Sequence, residues 1–344
     1  MLNAMPQFQA LICIPRLRVV NANAVSSPLT YGCPSITAFA GAVHAAQLAL
    51  NKKRSEAEHP LPPVKFCATG VVMHEHEVLS YRPGGRGHNV FRLTRNPLDK
   101  AGSVAAIVEE GRMHMTVSLL IGVIANDLDD ASVKALALET HEVFCAMRLA
   151  GGSVVPRVES TSNPKWQPTG IVWSDREGRT KQWRRLRAFL LPGFALVARA
   201  TLLTSHLRQL QADNPGATAL DAVLDLCAVH FEPKKRLEPT ALKGENNSTP
   251  PSSKWSAIKR TSGWLVPIPI GYSAISPLYA AGIATGVRDR SMPFRFVESV
   301  LSLGQWVGPH RLRDAFDLLW YHDRDAEQGT YLLRNHYQLE TELA

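Results

Sequence analysis

Five cations and three glycines lie within the stretch "RPGGRGHNVFRLTRNPLDK", residues 82–100, where Asp99 is the one acid. Cationic side chains bind phosphate groups, and a glycine backbone can approach a phosphate closely. The stretch therefore predicts a nucleic-acid contact, and a solvated flexible hairpin is the alternative interpretation. The cationic candidates are Arg82, Arg86, Arg92, Arg95 and, just beyond the stretch, Arg112.

A second candidate is the loop "NANAVSSPLTYGCPS", residues 21–35, which separates a predicted strand from a predicted helix. It is longer than most strand-to-helix loops and rich in short polar side chains. Such side chains can bind base edges or sugar hydroxyls, or they can tie down the loop through Asx and Ser turns. The candidates are Asn21, Asn23, Ser26, Ser27 and Thr30.

The stretch "RLAGGSVVPR" is the third candidate, because two glycines precede a predicted strand. Backbone N–H groups at such a turn can face a phosphate, although a glycine helix C-cap is an equal alternative. The stretch matches neither the dinucleotide-binding nor the P-loop pattern, so no cofactor is expected. The candidates are Arg148, Gly151, Gly152 and Ser153.

Catalytic and metal-binding patterns are weak. His74 and His76 in "MHEHEV" would share one strand face, but no third ligand lies nearby, and an exposed strand face is the simpler interpretation. The sequence has no G-x-S-x-G or H-E-x-x-H spacing. The isolated His44, His114 and His310 are expected in the core or on the surface. We therefore expect neither catalytic residues nor a metal.

Composition and charge indicate a globular protein with a polyanionic or acidic partner. The length of 344 residues allows one elaborated domain or two ordinary ones. The residues are 45% hydrophobic, and the net charge of +8 favours a negatively charged partner. The five cysteines are far apart without a C-x-x-C pair, which fits a reducing cytoplasm. Neither a signal peptide nor an apolar stretch of membrane-spanning length is recognised, so a cytoplasmic protein without a membrane partner is expected.

The order of predicted elements favours an α+β, ferredoxin-like β-α-β-β-α-β core. The expected elements are strands at 11–20, 64–81, 112–125 and 151–158, and helices at 36–50 and 131–149. The insertion between the second and third strands, at about 82–110, is expected to project from the sheet as a thumb. The strands lack the paired aromatic residues of an ordinary RNA-recognition motif.

The chain is expected to have three regions. The core with its thumb spans 1–160, and a helical region spans 161–262 with a basic helix and further helices at about 200–213 and 217–229. A flexible tract is expected at about 233–258. The C-terminal segment 263–344 is expected to pack back on the core. In this segment, the prolines of "GWLVPIPIGY" favour an edge strand or irregular backbone, and a helix is expected at about 309–321.

Several stretches together resemble one protein family over nearly the whole chain and in the same order. They are "IPRLRVVNANAVSSPLTYGCPS", "FRLTRNPLDKAGSVAAIVEEGR", "AMRLAGGS", "LLPGFALVAR", "GWLVPIPIGY", "SPLY" and "RFVESVLSLGQWVGPHR". The sequence resembles the Csy-two family, the Cas-five-type subunits of type I-F CRISPR surveillance (Cascade) complexes.

The resemblance implies a ferredoxin-like core of the RRM-like RAMP type with a thumb that includes Arg92 and Arg95, and a glycine loop at 150–153. It implies a non-catalytic subunit that binds the 5′ handle of the guide RNA (crRNA) in antiviral defence. The implied partners are a large Cas-eight-type subunit, an adjacent Cas-seven-type backbone subunit and, through the assembled complex, target double-stranded DNA. Because a separate Cas-six-type nuclease makes the processing cut in this family, no catalytic residue is carried over.

The basic helix "TKQWRRLRAFL" has Trp183, Leu186 and Leu190 at i, i+3 and i+7, which is typical of an apolar stripe that packs on a domain. Its cations would then face outward. We expect them to contact phosphates of target DNA without reading sequence, with a solvated helix face as the alternative. These cations are Lys181, Arg184, Arg185 and Arg187.

Two other functions remain open from the sequence. Some Cas-five relatives cleave repeat RNA, so an endoribonuclease is the main alternative. An interaction scaffold whose basic surface docks acidic subunits is the third interpretation.

Overall fold

The computed structural model describes residues 5–85, 87–91, 93–94, 98, 100–104, 108–156, 163–173, 176–233, 255–258, 263–287 and 289–337. The thumb candidates Arg86, Arg92 and Arg95 and most of the predicted flexible tract lie outside the described residues. In the described part of the chain, none of the helices combines the length and the apolar run that crossing a membrane requires.

The described residues form a mixed α/β structure. The helices are α1 Ile36–Ser55, α2 Asp130–Cys145, α3 Arg176–Phe189, α4 Ala200–Asp213 and α5 Ala219–Cys227. The first strands are β1 Ala10–Asn23, β2 Val25–Ser27, β3 Thr30–Tyr31, β4 Lys65–Val78, β5 Ser80–Tyr81, β6 Val90–Phe91, β7 Leu93–Thr94, β8 Val108–Glu109 and β9 Arg112–Ile124. The later strands are β10 Arg148–Leu149, β11 Gly152–Val155, β12 Thr169–Val172, β13 Phe194–Ala198, β14 His230–Pro233, β15 Trp255–Ile258, β16 Trp264–Ala274, β17 Val297–Val307, β18 Trp320–Asp325 and β19 Thr330–Arg334.

A large antiparallel sheet organises the fold. Among the described residues it holds eleven strands, ten of them in the order β10-β11-β1-β9-β4-β13-β17-β16-β19-β18, while β12 pairs with the first half of β1. Four neighbouring strands, β11-β1-β9-β4, come from the predicted core and are all antiparallel. The chain meets the elements of this part in the order β1, α1, β4, β9, α2 and β11, as the sequence predicts.

The two sides of the sheet carry separate hydrophobic cores. One side packs against α1 and α2 through residues such as Val19, Phe39 and Leu136. The other side packs against α3, whose predicted apolar stripe is buried: Trp183 and Leu190 are each 1% exposed. Full burial of such side chains stabilises a fold by about 1.5–3 kcal/mol each.

The predicted helix at 131–149 is wrong at its C-terminal end. α2 starts with a capping box between Asp129 and Ser132 but ends at Cys145. Arg148 therefore lies in strand β10 and not at a helix end, and the glycine C-cap interpretation fails with it. Ala150 and Gly151 have φ of 50° and 78°, the left-handed pair that a two-residue hairpin turn needs. Pairing of β10 with β11 ends the helix early.

The C-terminal segment has one correct and one wrong expectation. Pro267 and Pro269 lie in β16 where only β17 pairs with it, so the missing N–H groups face an unpaired side, as the prolines indicate. The helix expected at 309–321 is absent from these described residues. Short turns at Pro309–Arg311 and Ala315–Asp317 replace it, and β18 starts at Trp320 because that residue pairs with Thr69 of β4.

Candidate nucleic-acid interface

The β10–β11 hairpin packs directly on the end of β1. The backbone N–H of Asn23 donates to the carbonyl of Ala150 at 2.9 Å, and Val20 pairs with Ser153. A Cβ atom at Gly152 would lie 2.7 Å from the backbone nitrogen of Ala22, so this close approach requires glycine. The glycine loop is therefore held against β1 by backbone contacts.

Arg112 lies beside the same hairpin. It is the partner of Asn23 in the β1–β9 ladder, and its guanidinium forms an ion pair with the carboxylate of Glu110. A guanidinium nitrogen of Arg112 is 3.7 Å from the position that a Cβ atom on Gly151 would occupy. The structure thus brings Arg112 and the glycine turn together, with one acid already opposing that cation.

The sheet face turned away from α1 and α2 is exposed at this end. Leu149, Val154 and Val19 point into the α1/α2 core, so their neighbours point outward. Arg148 and Ser153 are opposite each other in the hairpin and are both exposed. They are two of the predicted site residues on one surface.

Two residues on that face were not among the predicted candidates. Arg18 is exposed and lies opposite Val155, while His114 is half-buried and its Nδ1 accepts the backbone N–H of Asn21 at 3.1 Å. Strand alternation through "RLRVV", with Leu17 and Val19 inward, would have placed Arg18 on the outer face. We define the hairpin face as Arg18, His114, Arg148, Gly151 and Ser153.

Most polar side chains of the polar loop form hydrogen bonds with backbone atoms of the protein. The side-chain amide of Asn23 donates through Nδ2 to the carbonyl of Val25 at 2.8 Å. Its Oδ1 accepts from the backbone N–H of Val25 at 3.1 Å. Ser27 is buried and accepts from the N–H of Leu29 at 3.1 Å.

Two further side chains of this loop make backbone contacts. Ser26 donates to the carbonyl of Thr30 at 3.3 Å, and Thr30 donates to the carbonyl of Pro267 at 2.7 Å. The loop-tying alternative accounts for these contacts. Asn21 keeps an exposed side chain next to the hairpin face.

The base of the thumb touches the polar loop. The rings of Phe91 and Tyr31 meet edge to face with centroids 5.5 Å apart, so the insertion starts next to this loop. Arg82 is exposed, and its Nε donates to Asn89 at 3.4 Å across the thumb. It is the candidate thumb arginine within the described residues.

A cavity of about 440 Å³ opens between the polar loop and β16. Phe194 and Trp264 in its lining are edge to face at 6.1 Å and are each about half exposed. Flat exposed rings of this kind are platforms on which nucleobases can stack. The cavity also borders Ser26 and Thr30, which joins it to the polar loop.

The cations of α3 form a separate group, on the helix that covers the second core. Lys181, Arg184 and Arg185 are exposed, as the amphipathic pattern predicts. Arg187 differs, because its guanidinium donates to the carbonyls of Leu312 at 3.1 Å and His310 at 3.5 Å. It is therefore half-buried and holds the C-terminal segment on α3.

Several histidines of the described residues are held by polar partners, among them His206, whose Nε2 lies 2.7 Å from the carboxylate of Asp225. No three His, Cys, Asp or Glu side chains in this part of the chain are grouped to hold a metal. The ring of His74 is held by the carbonyl of Pro192 at 2.6 Å and the hydroxyl of Ser118 at 2.7 Å. Burial raises the pKa of Cys33, beside the polar loop, to about 12.

Comparison with known proteins assigns the chain to a protein family. The family described as CRISPR-associated protein (Cas_Csy2) matches residues 12–333. The CRISPR-associated protein Csy2 of Pseudomonas aeruginosa (strain UCBPP-PA14) is 46% identical over 324 residues, which cover 94% of each chain. The chain belongs to the Csy2 family of CRISPR-associated proteins.

Membership of the Csy2 family confirms the resemblance read from the sequence motifs. The matched residues 12–333 include the hairpin face, the polar loop, the thumb insertion and α3. All candidate sites therefore lie in the part of the chain that is typical of Csy2 proteins.

Proposed function

We propose that this chain is a non-catalytic subunit of a type I-F CRISPR surveillance complex and binds the 5′ handle of the guide RNA with the hairpin face. The observation that carries the proposal is the close packing of Gly152 on β1, which holds exposed Arg148 and Ser153 on one surface with Arg18. Exposed cations supply the phosphate contacts, and the backbone of the turn supplies N–H donors.

The proposed core is ferredoxin-like and of the RAMP type. Counted along the chain, β1, β4, β9 and β11 are its first to fourth strands, so the order β11-β1-β9-β4 is 4-1-3-2. With α1 after the first strand and α2 after the third, this is the arrangement of a β-α-β-β-α-β unit. It leaves one sheet face without helices at the hairpin, where the RNA is proposed to lie.

The absence of catalysis is part of the proposal. Cys145 and His141 are 3.7 Å apart on α2, which is the closest the described residues come to a thiol–imidazole pair. Burial lowers the pKa of His141 and raises the pKa of Cys145. Both shifts disfavour the thiolate–imidazolium state that a cysteine nucleophile needs. These shifts argue against a cysteine nucleophile on α2, and the gel described below tests the endoribonuclease alternative itself.

The proposed protein partners fit an exposed apolar segment. Between β16 and β17, Leu278, Ile283 and Phe296 are each more than half exposed, and Tyr279 and Phe294 stack at 6.4 Å. An apolar patch of this kind marks a protein contact. We assign it to the large Cas-eight-type subunit, while a Cas-seven-type backbone subunit is proposed to follow along the guide RNA.

Target DNA is proposed to contact α3 in the assembled complex, in the cytoplasm, during antiviral defence. Lys181, Arg184 and Arg185 are the exposed cations for this role. Arg187 is assigned a structural role instead, because its guanidinium donates to the carbonyl of Leu312 in the C-terminal segment.

The test compares two double variants in a titration with handle RNA. Arg18→Ala with Arg148→Ala should weaken RNA binding about tenfold or more and reduce the slope of log affinity against log salt by roughly 1.4, since each lost single-strand phosphate contact removes about 0.7. The matched control, Arg184→Ala with Arg185→Ala, removes the same charge and should leave both quantities unchanged. Equal losses in both variants would contradict an RNA site at the hairpin face.

A gel of full-length repeat RNA incubated with the protein tests the absence of catalysis. Intact RNA is the expected result. Specific cleavage that is lost on changing His141 to Ala would contradict the non-catalytic assignment and favour the endoribonuclease.

A further inference from the structure

A second cavity lies at the other end of β4 from the hairpin face. It has a volume of about 670 Å³ and is bounded by α1, the first residues of β4, and β18 and β19. Lys65 borders it at the start of β4, whereas Glu77, near the end of that strand, is the ladder partner of His114. At about 3.3 Å per residue these positions are about 40 Å apart, so the cavity is distinct from the proposed RNA site.

The lining of this cavity is basic. Its cations are Lys65 and Arg324, the imidazoles of His44 and His322 also line it, and no Asp or Glu is among the described residues that line it. Within the described part of the chain, no ion pair or hydrogen bond of these four side chains is present. Like charges that converge without a counter-charge leave the cavity at a positive potential, which an anion would neutralise.

The behaviour of His322 reflects this potential. Burial lowers the pKa of its ring, and the nearby charges of Arg324 and His44 lower it further. Its Nδ1 atom is buried and makes no hydrogen bond to the described residues. A buried ring nitrogen without a partner costs free energy unless a ligand satisfies it.

Flat rings and polar groups complete the lining. The rings of His322 and Tyr331 are 5.2 Å apart, and Phe66 and Trp320 form apolar wall. Gln47 also borders the cavity, although its carbonyl oxygen already accepts from the N–H of Phe66 at 2.6 Å. A base can therefore contact rings while an attached phosphate meets the cations.

We propose that this cavity binds a nucleotide, with its terminal phosphate against Lys65, Arg324 and His44 and its base against the rings of Tyr331 and His322. The volume suits a mononucleotide, since pockets of about 300–1,000 Å³ hold ligands of this size. The same chemistry is offered by a free nucleotide and by the phosphorylated end of an oligonucleotide. The proposal stands independently of RNA binding at the hairpin face.

The test is calorimetric titration of the full chain with AMP, adenosine and a 5′-phosphorylated pentanucleotide. We expect AMP to bind at least tenfold more tightly than adenosine, because the phosphate provides the contacts with the cations. Binding of the pentanucleotide but not AMP, if it is lost on changing Lys65 and Arg324 to Gln, would identify the oligonucleotide end as the source of the phosphate; pentanucleotide binding that survives this change belongs to the hairpin face and overturns the proposal. Failure of both AMP and the pentanucleotide to bind overturns the proposal.

Matched variants locate the site. Lys65→Gln with Arg324→Gln should weaken AMP binding at least tenfold, whereas Lys134→Gln with Arg208→Gln removes the same two charge types from exposed positions outside the cavity and should change it less than twofold. Equal weakening by both pairs would overturn the assignment.

An NMR titration of the unmodified protein decides the question even where the double variant does not fold. AMP should shift the ring resonances of His322, and saturating AMP that leaves them unmoved contradicts the site. Because no residue of the hairpin face is changed, this result is independent of the RNA titration.

Discussion

Adding one methyl group at two glycines should have opposite effects. In Gly152→Ala, the new Cβ would lie 2.7 Å from the nitrogen of Ala22 and 2.8 Å from the carbonyl oxygen of Val20. Both contacts are with backbone atoms, so the β10–β11 hairpin must move away from β1. In Gly41→Ala, on the exposed side of α1, the new Cβ has no atom within 4 Å.

The magnitudes follow from these contacts. Overpacking against backbone costs about 1–3 kcal/mol, and the absence of a movable side chain at Gly152 places the expected loss near the upper end. At Gly41, alanine should stabilise the protein by about 0.5–1 kcal/mol, since glycine inside a helix has the larger backbone entropy loss on folding. The two free energies of unfolding should therefore differ by about 3.5–4 kcal/mol.

Urea unfolding followed by circular dichroism measures both changes. Handle RNA affinity, measured on the folded fraction, should fall roughly tenfold for Gly152→Ala, about 1.4 kcal/mol, and remain unchanged for Gly41→Ala. Parental stability of Gly152→Ala would refute the close backbone approach. A stability loss with unchanged RNA affinity would instead remove the hairpin from the proposed RNA site.

Three further outcomes test the fold and its titratable groups. Trp183→Ala should destabilise the protein by about 3–5 kcal/mol in urea unfolding, because the side chain is 1% exposed and packs under α3. Burial raises the pKa of Cys13 and Cys33 to about 12, so thiol reagents at pH 8 should label them rapidly only after unfolding. Equal labelling rates in buffer and in urea would contradict the burial of these thiols. Hydrogen bonds from Ser132 hold the pKa of the Asp129 carboxyl below its usual range. The stabilisation by this N-cap of α2 should therefore be complete above the pKa of Asp129 in the unfolded chain and be lost as the pH falls through its lower pKa in the folded protein. An NMR titration of Asp129 measures this change.

Local sequence patterns correctly predicted helices whose position depends on their own residues. The helix expected at about 200–213 is α4, Ala200–Asp213, and the apolar stripe of α3 is buried where the i, i+3, i+7 spacing places it. The early end of α2 escaped prediction because helix propensity continues past Cys145. The β10–β11 hairpin, in which Arg148 pairs with Ser153, sets that boundary.

Local sequence patterns could not show which residues tertiary pairing adds to the candidate site. The clustering of Arg148, Gly151 and Ser153 followed from their closeness in sequence, and the structure keeps them together. Arg18 joins them through the β1–β11 ladder, a contact between residues more than 130 positions apart that no local pattern contains. In the same way, the segment at 309–321 forms turns and a strand because β4 and β19 provide partners for β18.

Ultraviolet cross-linking of the guide RNA to the protein in the assembled complex, followed by mass spectrometry of the cross-linked peptides, tests the central claim most directly. The proposed function predicts that handle nucleotides cross-link to peptides containing His114 and the β10–β11 hairpin, residues 148–155. Handle cross-links confined to α3 or to the apolar segment between β16 and β17, with none at the hairpin, would contradict it.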